Sequence, residues 1–310
     1  MGIEVVLGII VSFFPNLQEL LSSLIQLKGE LEEVCLVENG SDPKVQIELK
    51  ATLEKNKTLI PKIHWIINPT NIGLASAQNL GIAYGMEKQV PFFLFLDDDS
   101  LLTKGSLSSM KEFLLSNQDY GMVAPKLIHL NSNRIQKYPI IHSTGWIYRR
   151  PLYEKNDFLE NVSTVIASGS LVRENCFRNI GKMRDDYFID CIDIEFCLRL
   201  RANDWKIAVL QSAVLKHKLG EEKEFKTPLG QIYPTNHSPL RRYYMTRNRI
   251  WTWKLYGLEF PLWFLYDIGN FIFDVIRFTL FDKERVKKWK MLGRGIVDGI
   301  LEKKKRYNIS

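Results

Sequence analysis

The chain has 310 residues, of which 45% are hydrophobic and 25% charged, and this composition excludes a disordered segment and a repeat array. Its four cysteines contain no Cys-x-x-Cys pair, so we expect a reducing compartment, without disulfides or structural zinc. The net charge of +7 is concentrated after Phe281, which argues against a nucleic-acid binder with a uniformly basic surface.

Strand and helix patterns alternate over the first third of the chain. Runs rich in β-branched and aromatic residues predict strands, and helical periodicity between them predicts helices. The predicted strands are 5–11, 34–37, 63–67 and 92–96. The predicted helices are one capped by Asn16 and two over 74–84 and 106–115. This order predicts a parallel sheet with helical crossovers, in which the carboxyl ends of the strands meet at one edge.

The rest of the chain has a less regular pattern. Residues 149–161 are polar and predict a loop, and a helix is predicted to begin near Asp190, with acidic residues in its first turn. The further predicted strands are 121–125, 143–148, 164–172, 206–210 and 213–215.

Three consecutive carboxylates follow the fourth predicted strand. Asp97, Asp98 and Asp99 stand where open α/β sheets bind their ligands. Oxygen ligands from Asp97 and Asp99 suit one Mg²⁺ or Mn²⁺ ion. An acidic turn that caps the next helix is the alternative, because Ser100 and Thr103 are ordinary capping residues. No Gly-x-Gly-x-x-Gly or Walker-type loop is present, so a phosphate ligand here would need a metal ion.

Asp193 and His217 are the other candidate reactive side chains. Asp193 lies in a predicted first helical turn among apolar neighbours, where a carboxylate can act as a general base or simply complement the helix dipole. Glu195 is assigned to an ion pair with Arg199, four residues later. His217 follows a predicted strand and is either a metal ligand or a hydrogen-bonded turn histidine.

Four arginines lie among aromatic residues between Arg241 and Arg249. Such a segment can clamp a pyrophosphate leaving group or stack nucleic-acid bases. A helix with a solvated basic face is the alternative.

Seven short motifs carry a family resemblance, in the order VSFFPN, ENGS, NIGLASAQNLG, FLFLDDDS, SGSLV, FIDCIDIEFCLRLR and RRYYMTRN. Over residues 3–250 the chain resembles inverting GT-A glycosyltransferases of the family 2 type. Within them it resembles bacterial rhamnosyltransferases of cell-wall or capsular polysaccharide synthesis. The resemblance implies an α/β fold of the GT-A class, in which a Rossmann-like mixed sheet binds a nucleotide sugar between flanking helices. It also implies metal-dependent transfer of L-rhamnose from dTDP-L-rhamnose to a lipid-linked saccharide.

The resemblance also implies a role for each matching residue. Those implied to bind the donor are Ser12, Glu38, Asn71, Gly73, Asp97, Asp98, Arg247 and Asn248. Those implied to hold Mn²⁺ or Mg²⁺ are Asp97, Asp99 and His217. Asp193 is the implied catalytic base. Glu38 stands where the family commonly has Asp, and Asp98 stands where its rhamnosyltransferases often carry Gln, which loosens the assignment to rhamnose.

The segment 258–281 is the most apolar of the chain, but Asp267, Asp274 and Arg277 interrupt it, so it does not predict a transmembrane helix. A helix with a wide apolar face, followed by a Lys/Arg cluster, suits the interface of an anionic membrane. Packing on the catalytic domain, or on a second subunit in a homodimer, is the alternative.

These patterns divide the chain into a catalytic domain, 1–240, and a C-terminal amphipathic helical appendage, 241–310, that binds a membrane or dimerises. The first residues lack the basic region of a secretory signal peptide. We therefore expect a cytoplasmic protein that is peripheral on the inner face of the plasma membrane.

Other functions fit parts of the pattern. UDP-galactofuranose, UDP-glucose and UDP-galactose are alternative donors within the same chemistry. A phosphohydrolase with Asp97 as nucleophile would need a later Lys and an acidic pair, and no clear set is present. A non-catalytic membrane or nucleic-acid-binding module leaves Asp97–Asp99 and Asp193 unexplained, and we expect no nucleic-acid partner.

Overall fold

The computed structural model describes residues 5–130, 134–152, 156–217, 225–227, 230–232 and 236–304. Within them the strands are β1 Val6–Ser12, β2 Glu33–Asn39, β3 Lys62–Asn68, β4 Phe92–Asp97, β5 Leu101–Leu102, β6 Tyr120–His129, β7 Lys137–Ile141, β8 Ile147–Pro151, β9 Phe158–Leu159, β10 Leu171–Arg173, β11 Lys206–His217, β12 Phe225–Thr227 and β13 Gly230–Ile232. The helices are α1 Leu17–Leu27, α2 Pro43–Lys55, α3 Leu74–Glu87, α4 Ser106–Ser116, α5 Glu174–Ile180, α6 Ile192–Ala202, α7 Pro239–Tyr256, α8 Pro261–Phe281 and α9 Arg285–Ile300.

One mixed sheet organises the molecule. Over the described residues its strand order is β3-β2-β1-β4-β10-β6-β11-β5, and β9 pairs with β11. The first four strands are parallel to one another, as the alternating pattern predicts. β10 runs antiparallel between β4 and β6, and β6 is parallel to β11. The carboxyl ends of β1, β2, β4 and β11 therefore lie along one edge.

The sheet is buried on both faces, and alternate residues of β4 enter opposite cores. Phe93 and Phe95 pack in one cluster, while Phe92, Leu94 and Leu96 pack in the other. This alternation explains why β4 reads as an unbroken apolar run in the sequence. Helix α1 begins where predicted, because the Asn16 side chain accepts hydrogen bonds from the N–H groups of Gln18 and Glu19.

Several predictions for the middle of the chain are wrong. Of the predicted strand 164–172, only the end joins β10, since Gly169 has a φ of +83° and turns the chain. The predicted strand 143–148 begins only at Ile147, after a turn at Gly145 with a φ of +85°. The predicted loop 149–161 contains the end of β8 and all of β9.

Two other differences concern complete elements. The predicted strands 206–210 and 213–215 are one strand, β11, with a register shift between Leu210 and Val214. Helix α2 has no counterpart in the sequence prediction. It buries only Leu49 and Leu53, so its apolar stripe is too narrow to give a clear periodic signal.

The C-terminal helices pack through buried charges. Arg242 of α7 pairs with Asp274 of α8, and Arg249 of α7 lies 3.0 Å from Asp267 of α8. Tyr243 donates a hydrogen bond of 3.0 Å to Asp298 of α9. Among the described helices we find none with the length and apolarity needed to cross a bilayer.

Candidate active site

The edge at the strand ends brings together side chains that are far apart in the sequence. In the sheet register Ser12 lies beside Glu38, and Val11 lies beside Asp97. His217 is the last residue of β11. Because their strands run in the same direction, the same edge of the sheet carries Ser12, Glu38, Asp97 and His217.

Asp97, Asp99 and His217 form a compact group. Each offers one ligand atom, and these three atoms all lie within 4.8 Å of one another. Asp99 Oδ1 is 3.4 Å from His217 Nδ1, and this buried oxygen has no hydrogen-bond partner in the described structure. Buried oxygens are normally satisfied, so an orphaned carboxylate oxygen inside a two-Asp, one-His group fits a hard divalent cation.

The protonation behaviour of this group supports the same fit. Burial raises the pKa of Asp97, and the charge of Asp99 adds to the effect. Burial, with the charges of Asp99 and Asp97, raises the pKa of Asp98 to about 7. Burial alone would lower the pKa of His217, but the carboxylates of Asp99 and Asp97 outweigh it and raise that pKa. Burial and mutual repulsion therefore disfavour the charged form of these carboxylates, and a divalent cation bound among them would offset both effects.

A serine pair holds the group in place. Ser100 Oγ lies 2.9 Å from His217 Nδ1 and 2.8 Å from Ser168 Oγ. Ser168 Oγ also accepts a 3.0 Å hydrogen bond from the backbone N–H of Asp97. Ser168 thus links the turn before β10 to the acidic strand end and supports the orientation of these side chains.

Three further residues that the resemblance implies to bind the donor are Glu38, Asn71 and Gly73, at the ends of β2 and β3. Glu38 is buried, and its carboxylate accepts hydrogen bonds from the N–H groups of Gly40 and Ser41. Asn71 Oδ1 accepts from the N–H of Gly73, 2.9 Å away. Gly73 has a φ of +90°, and an added Cβ would lie 2.6 Å from the Phe188 side chain. Glu38, Asn71 and Gly73 therefore fix the shape of the loops around this side of the edge.

Ser12 is also fully buried, and its hydroxyl has no hydrogen-bond partner in the described structure. An unpartnered buried hydroxyl at a strand end is uncommon and is consistent with a site that receives a polar ligand group.

Asp193 lies in the first turn of α6, as predicted, after Cys191, which has a φ of +60°. Its Oδ1 accepts a 2.9 Å hydrogen bond from the N–H of Ile194. Burial raises the pKa of Asp193 to about 6, and the charges of Asp190 and Asp97 add to this rise. A carboxylate with a pKa near neutrality can accept a proton from a hydroxyl group that loses it during reaction.

Asp193 opens into a cavity of about 250 Å³. Ser168 lines the same cavity, so it connects Asp193 with the edge that carries the acidic group. Helix α8 also lines this cavity, through Trp263, Tyr266 and Asn270. The cavity is lined by aromatic, amide and charged side chains, which suit a sugar that both stacks and hydrogen bonds.

Glu195, two residues after Asp193, has a structural role. Its carboxylate pairs with Arg199 at 2.9 Å and accepts a 2.7 Å hydrogen bond from Tyr256, which confirms the predicted ion pair. Asp193 lines the cavity while Glu195 forms an ion pair, because residues two apart point to different sides of a helix.

Arg247 and Asn248 lie behind the site, and both are fully buried. Asn248 Nδ2 donates hydrogen bonds to the carbonyls of Tyr187, Ile189 and Asp190, and Arg247 donates to the carbonyls of Asp186 and Tyr187. They brace the loop that leads to Asp193, a loop with positive φ at Phe188, Asp190 and Cys191. The sequence shows arginines near one another but not which of them are turned inward.

The arginine that the structure places at the site is Arg241. It makes a bidentate ion pair with Asp190, with contacts of 2.9 to 3.1 Å, and its side chain is 43% exposed. Burial alone would lower the pKa of Arg241, but the carboxylate of Asp190, with smaller contributions from Asp97 and Asp193, outweighs burial and raises it. The sequence interpretation missed Arg241 as an individual site residue, and it missed Ser168, whose only signal was the SGSLV motif.

Comparison with known proteins shows which sequences and structures the chain is similar to. Residues 10–181 match the family described as "Glycosyl transferase family 2". The chain is 28% identical over 301 residues to the dTDP-rhamnosyl transferase RfbF of Shigella flexneri, covering 94% of each chain. It is 24% identical over 155 residues to the low-salt glycan biosynthesis hexosyltransferase Agl10 of Haloferax volcanii, covering 48% of this chain and 50% of that one.

Solved structures show the same fold. GalNAc-T7, crystallised with UDP, GalNAc and Mn²⁺, has a TM-score of 0.62 at 12% identity over 85% of this chain. TarS of S. aureus has a TM-score of 0.55 at 16% identity over 96% of this chain. The chain spans about half of the length of both proteins. The predicted fold class, a GT-A-like mixed α/β sheet with C-terminal helices, is confirmed.

Proposed function

The chain belongs to glycosyl transferase family 2, and from this premise we propose that it transfers L-rhamnose from dTDP-L-rhamnose to a hydroxyl group of a lipid-linked saccharide during synthesis of a bacterial surface polysaccharide. The choice of donor is supported by the similarity to RfbF over 94% of both chains. The observation that carries the proposal is the Asp97–Asp99–His217 group on the same edge as the Asp193 cavity.

Asp97, Asp99 and His217 would hold Mn²⁺ or Mg²⁺, whose charge would stabilise the diphosphate as the sugar–phosphate bond breaks. Ser100 and Ser168 keep the side chains of this group in position. The nucleotide side of the donor site is shaped by Ser12, Glu38, Asn71 and Gly73. Asp98, between Asp97 and Asp99 in the sequence, is a further donor-binding residue of this proposal.

Asp193 is the base in this proposal. It removes the proton from the acceptor hydroxyl as the oxygen attacks the anomeric carbon on the face opposite to the diphosphate. A carbon–oxygen bond to the acceptor forms, the bond to the phosphate oxygen breaks, and the nucleoside diphosphate leaves with the electron pair. The anomeric configuration is thereby inverted in a single displacement.

The diphosphate is positioned by Arg241. Its side chain is partly exposed, bidentate and within electrostatic range of Asp97, whereas Arg247 and Asn248 are buried. Arg241 exchanges its contact with Asp190 for the phosphate oxygens, since a guanidinium binds carboxylate and phosphate with the same geometry. Arg247 and Asn248 contribute to donor binding through the loop that they brace.

The protein works at the inner face of the plasma membrane as a peripheral protein, where a lipid-linked acceptor is available. The support is the C-terminal region, which combines exposed apolar side chains on α8 with exposed basic residues on α9. A homodimer through the same region is the competing arrangement.

A donor panel tests the function directly. Purified protein is incubated with dTDP-L-rhamnose, UDP-galactofuranose, UDP-glucose or UDP-galactose, with Mn²⁺ or Mg²⁺, and release of nucleoside diphosphate is measured. We expect release from dTDP-L-rhamnose, loss of release in chelator, and recovery when Mn²⁺ is restored. Preference for a UDP-sugar would overturn the donor assignment, and full activity in chelator would overturn the metal assignment.

A further inference from the structure

Helix α8 presents its charged side chains to the protein interior. Asp267 accepts a 2.7 Å hydrogen bond from the indole of Trp253 and pairs with Arg249, both on α7. Asp274 is paired with Arg242 of α7 and with Arg277. Every charged residue of α8 is therefore engaged in an ion pair on its inward side.

The outward side of α8 is apolar. Its exposed large side chains are Leu265, Ile272, Phe273, Ile276 and Leu280, each more than half exposed. Apart from the adjacent Ile272 and Phe273, successive members are three, four or seven residues apart, which places them on one stripe, about 22 Å long at 1.5 Å per residue. Amphipathic helices of globular proteins normally turn such a stripe toward the core, so its exposure on α8 is unusual.

The apolar stripe continues into a basic segment. Val286 is 84% exposed, and Trp289, which contacts the Phe278 ring, is 45% exposed. Between residues 283 and 294 one acidic side chain, Glu284, is exposed. The exposed cations of the same segment are Lys283, Arg285, Lys287, Lys290 and Arg294. An aromatic residue between an apolar surface and cations is typical of the membrane–water interface.

We propose that the outward stripe of α8, with the basic start of α9, is a docking surface for an anionic lipid bilayer. The helix would lie in the plane of the interface, with the stripe among the acyl chains and the cations at the lipid phosphates. The net positive charge of this segment complements lipid phosphates, whereas a second copy would present the same sign of charge, and this favours the bilayer over a dimer.

The position of α8 connects this surface with the proposed reaction. Its inward residues Trp263, Tyr266 and Asn270 line the cavity that contains Asp193. A helix is about 10 Å thick, so the cavity would lie one helix diameter from the lipid surface. That a lipid-linked acceptor reaches the cavity by this short path rests on the proposed function. The docking of α8 on a bilayer does not depend on it.

Vesicle co-sedimentation tests the docking. Full-length protein is mixed with phosphatidylcholine vesicles, with or without about 30 mol% phosphatidylglycerol. We expect binding to the anionic vesicles, and a loss of at least about tenfold in the triple variant Ile272→Ser, Phe273→Ser, Ile276→Ser, which removes the centre of the stripe. The matched control is Ile47→Ser, because Ile47 is 69% exposed on α2 and should not affect binding.

A second variant, Lys283→Glu with Lys290→Glu, tests the charge contribution without changing the stripe. We expect it to remove the preference for phosphatidylglycerol. Wild-type binding by the triple variant would overturn the proposal. So would a wild-type dimer in light scattering that becomes monomeric in the triple variant without any vesicle binding.

Release of dTDP from dTDP-L-rhamnose in the absence of lipid separates this inference from the proposed function. We expect the triple variant to keep this release within about twofold, because the substituted residues do not line the cavity. Vesicle binding without any donor turnover would contradict the proposed function and leave the docking surface in place.

Discussion

The acidic strand edge and the interface between α7 and α8 both contain buried or half-buried carboxylates, but they differ in how the charge is balanced. At the interface, Asp267 and Asp274 each have an arginine partner on α7. At the edge, Asp97, Asp98 and Asp99 crowd together, two of them with a raised pKa, and one oxygen of Asp99 has no hydrogen-bond partner in the described structure. Paired carboxylates define the packing of helices, whereas crowded ones indicate a site that is completed by a ligand.

The largest expected effect is on Asp99. Asp99→Ala removes one ligand of the proposed ion, and we expect transfer to fall by about three orders of magnitude or more, since metal stabilisation contributes several kcal/mol. The melting temperature should not fall, because a crowded like charge is removed. The control Glu54→Ala removes an exposed surface acid and should retain activity. Near-normal turnover by Asp99→Ala would refute the proposed role of the acidic strand edge in sugar transfer.

Asp193 and Glu195 provide the second test, since they lie on one helix with opposite environments. We expect Asp193→Asn to lower kcat by about two to four orders of magnitude while dTDP affinity is retained, because a general base is lost. Glu195→Gln should instead lower the melting temperature with little change in kcat, since its carboxylate pairs with Arg199. If Asp193→Asn kept near-full activity, another base would be required.

At the interface between α7 and α8, the third test removes an arginine instead of a carboxylate. Arg242→Met leaves Asp274 and Asp282 with one partner fewer, and we expect the free energy of unfolding to fall by about 3–5 kcal/mol. Chemical denaturation measures this loss, and donor turnover per folded molecule should be unchanged. Arg178→Met, which breaks an exposed pair with Glu174, should leave the unfolding midpoint almost unchanged. Equal effects of the two variants would contradict the comparison.

The smallest effect concerns pH. Because burial raises the pKa of Asp193 to about 6, this side chain is protonated below that pH and cannot accept a proton. We expect kcat to fall about tenfold per unit below pH 6 and to level off above it. The charged and titratable groups that act on Asp193 are Asp190, Asp97, Arg241, Cys191 and Cys197. The residual activity of Asp193→Asn should lack this inflection.

Much of the site could be predicted because its signals are local. Asp97 and Asp99 follow an apolar run directly, and Asp193 lies in a helical turn whose acids complement the dipole. The sequence could not show which of Arg241 and Arg247 is buried and which is exposed, because both lie on α7. Arg247 is buried against the loop that precedes α6, whereas Arg241 reaches Asp190 at the surface.

The sequence by itself determined the β-α-β alternation, the acidic strand end and the amphipathic nature of α8, since hydrophobic periodicity and turn residues act over a few neighbouring positions. Only the tertiary structure decided that His217 meets Asp99, that Ser168 connects the end of β4 with the Asp193 cavity, and that an apolar stripe of α8 stays exposed. A helical wheel shows that a helix has two faces, but the face that turns inward depends on its partners. Here Arg242 and Arg249 of α7 pair with the charged residues of α8, and the exposed stripe of α8 lies on its other side.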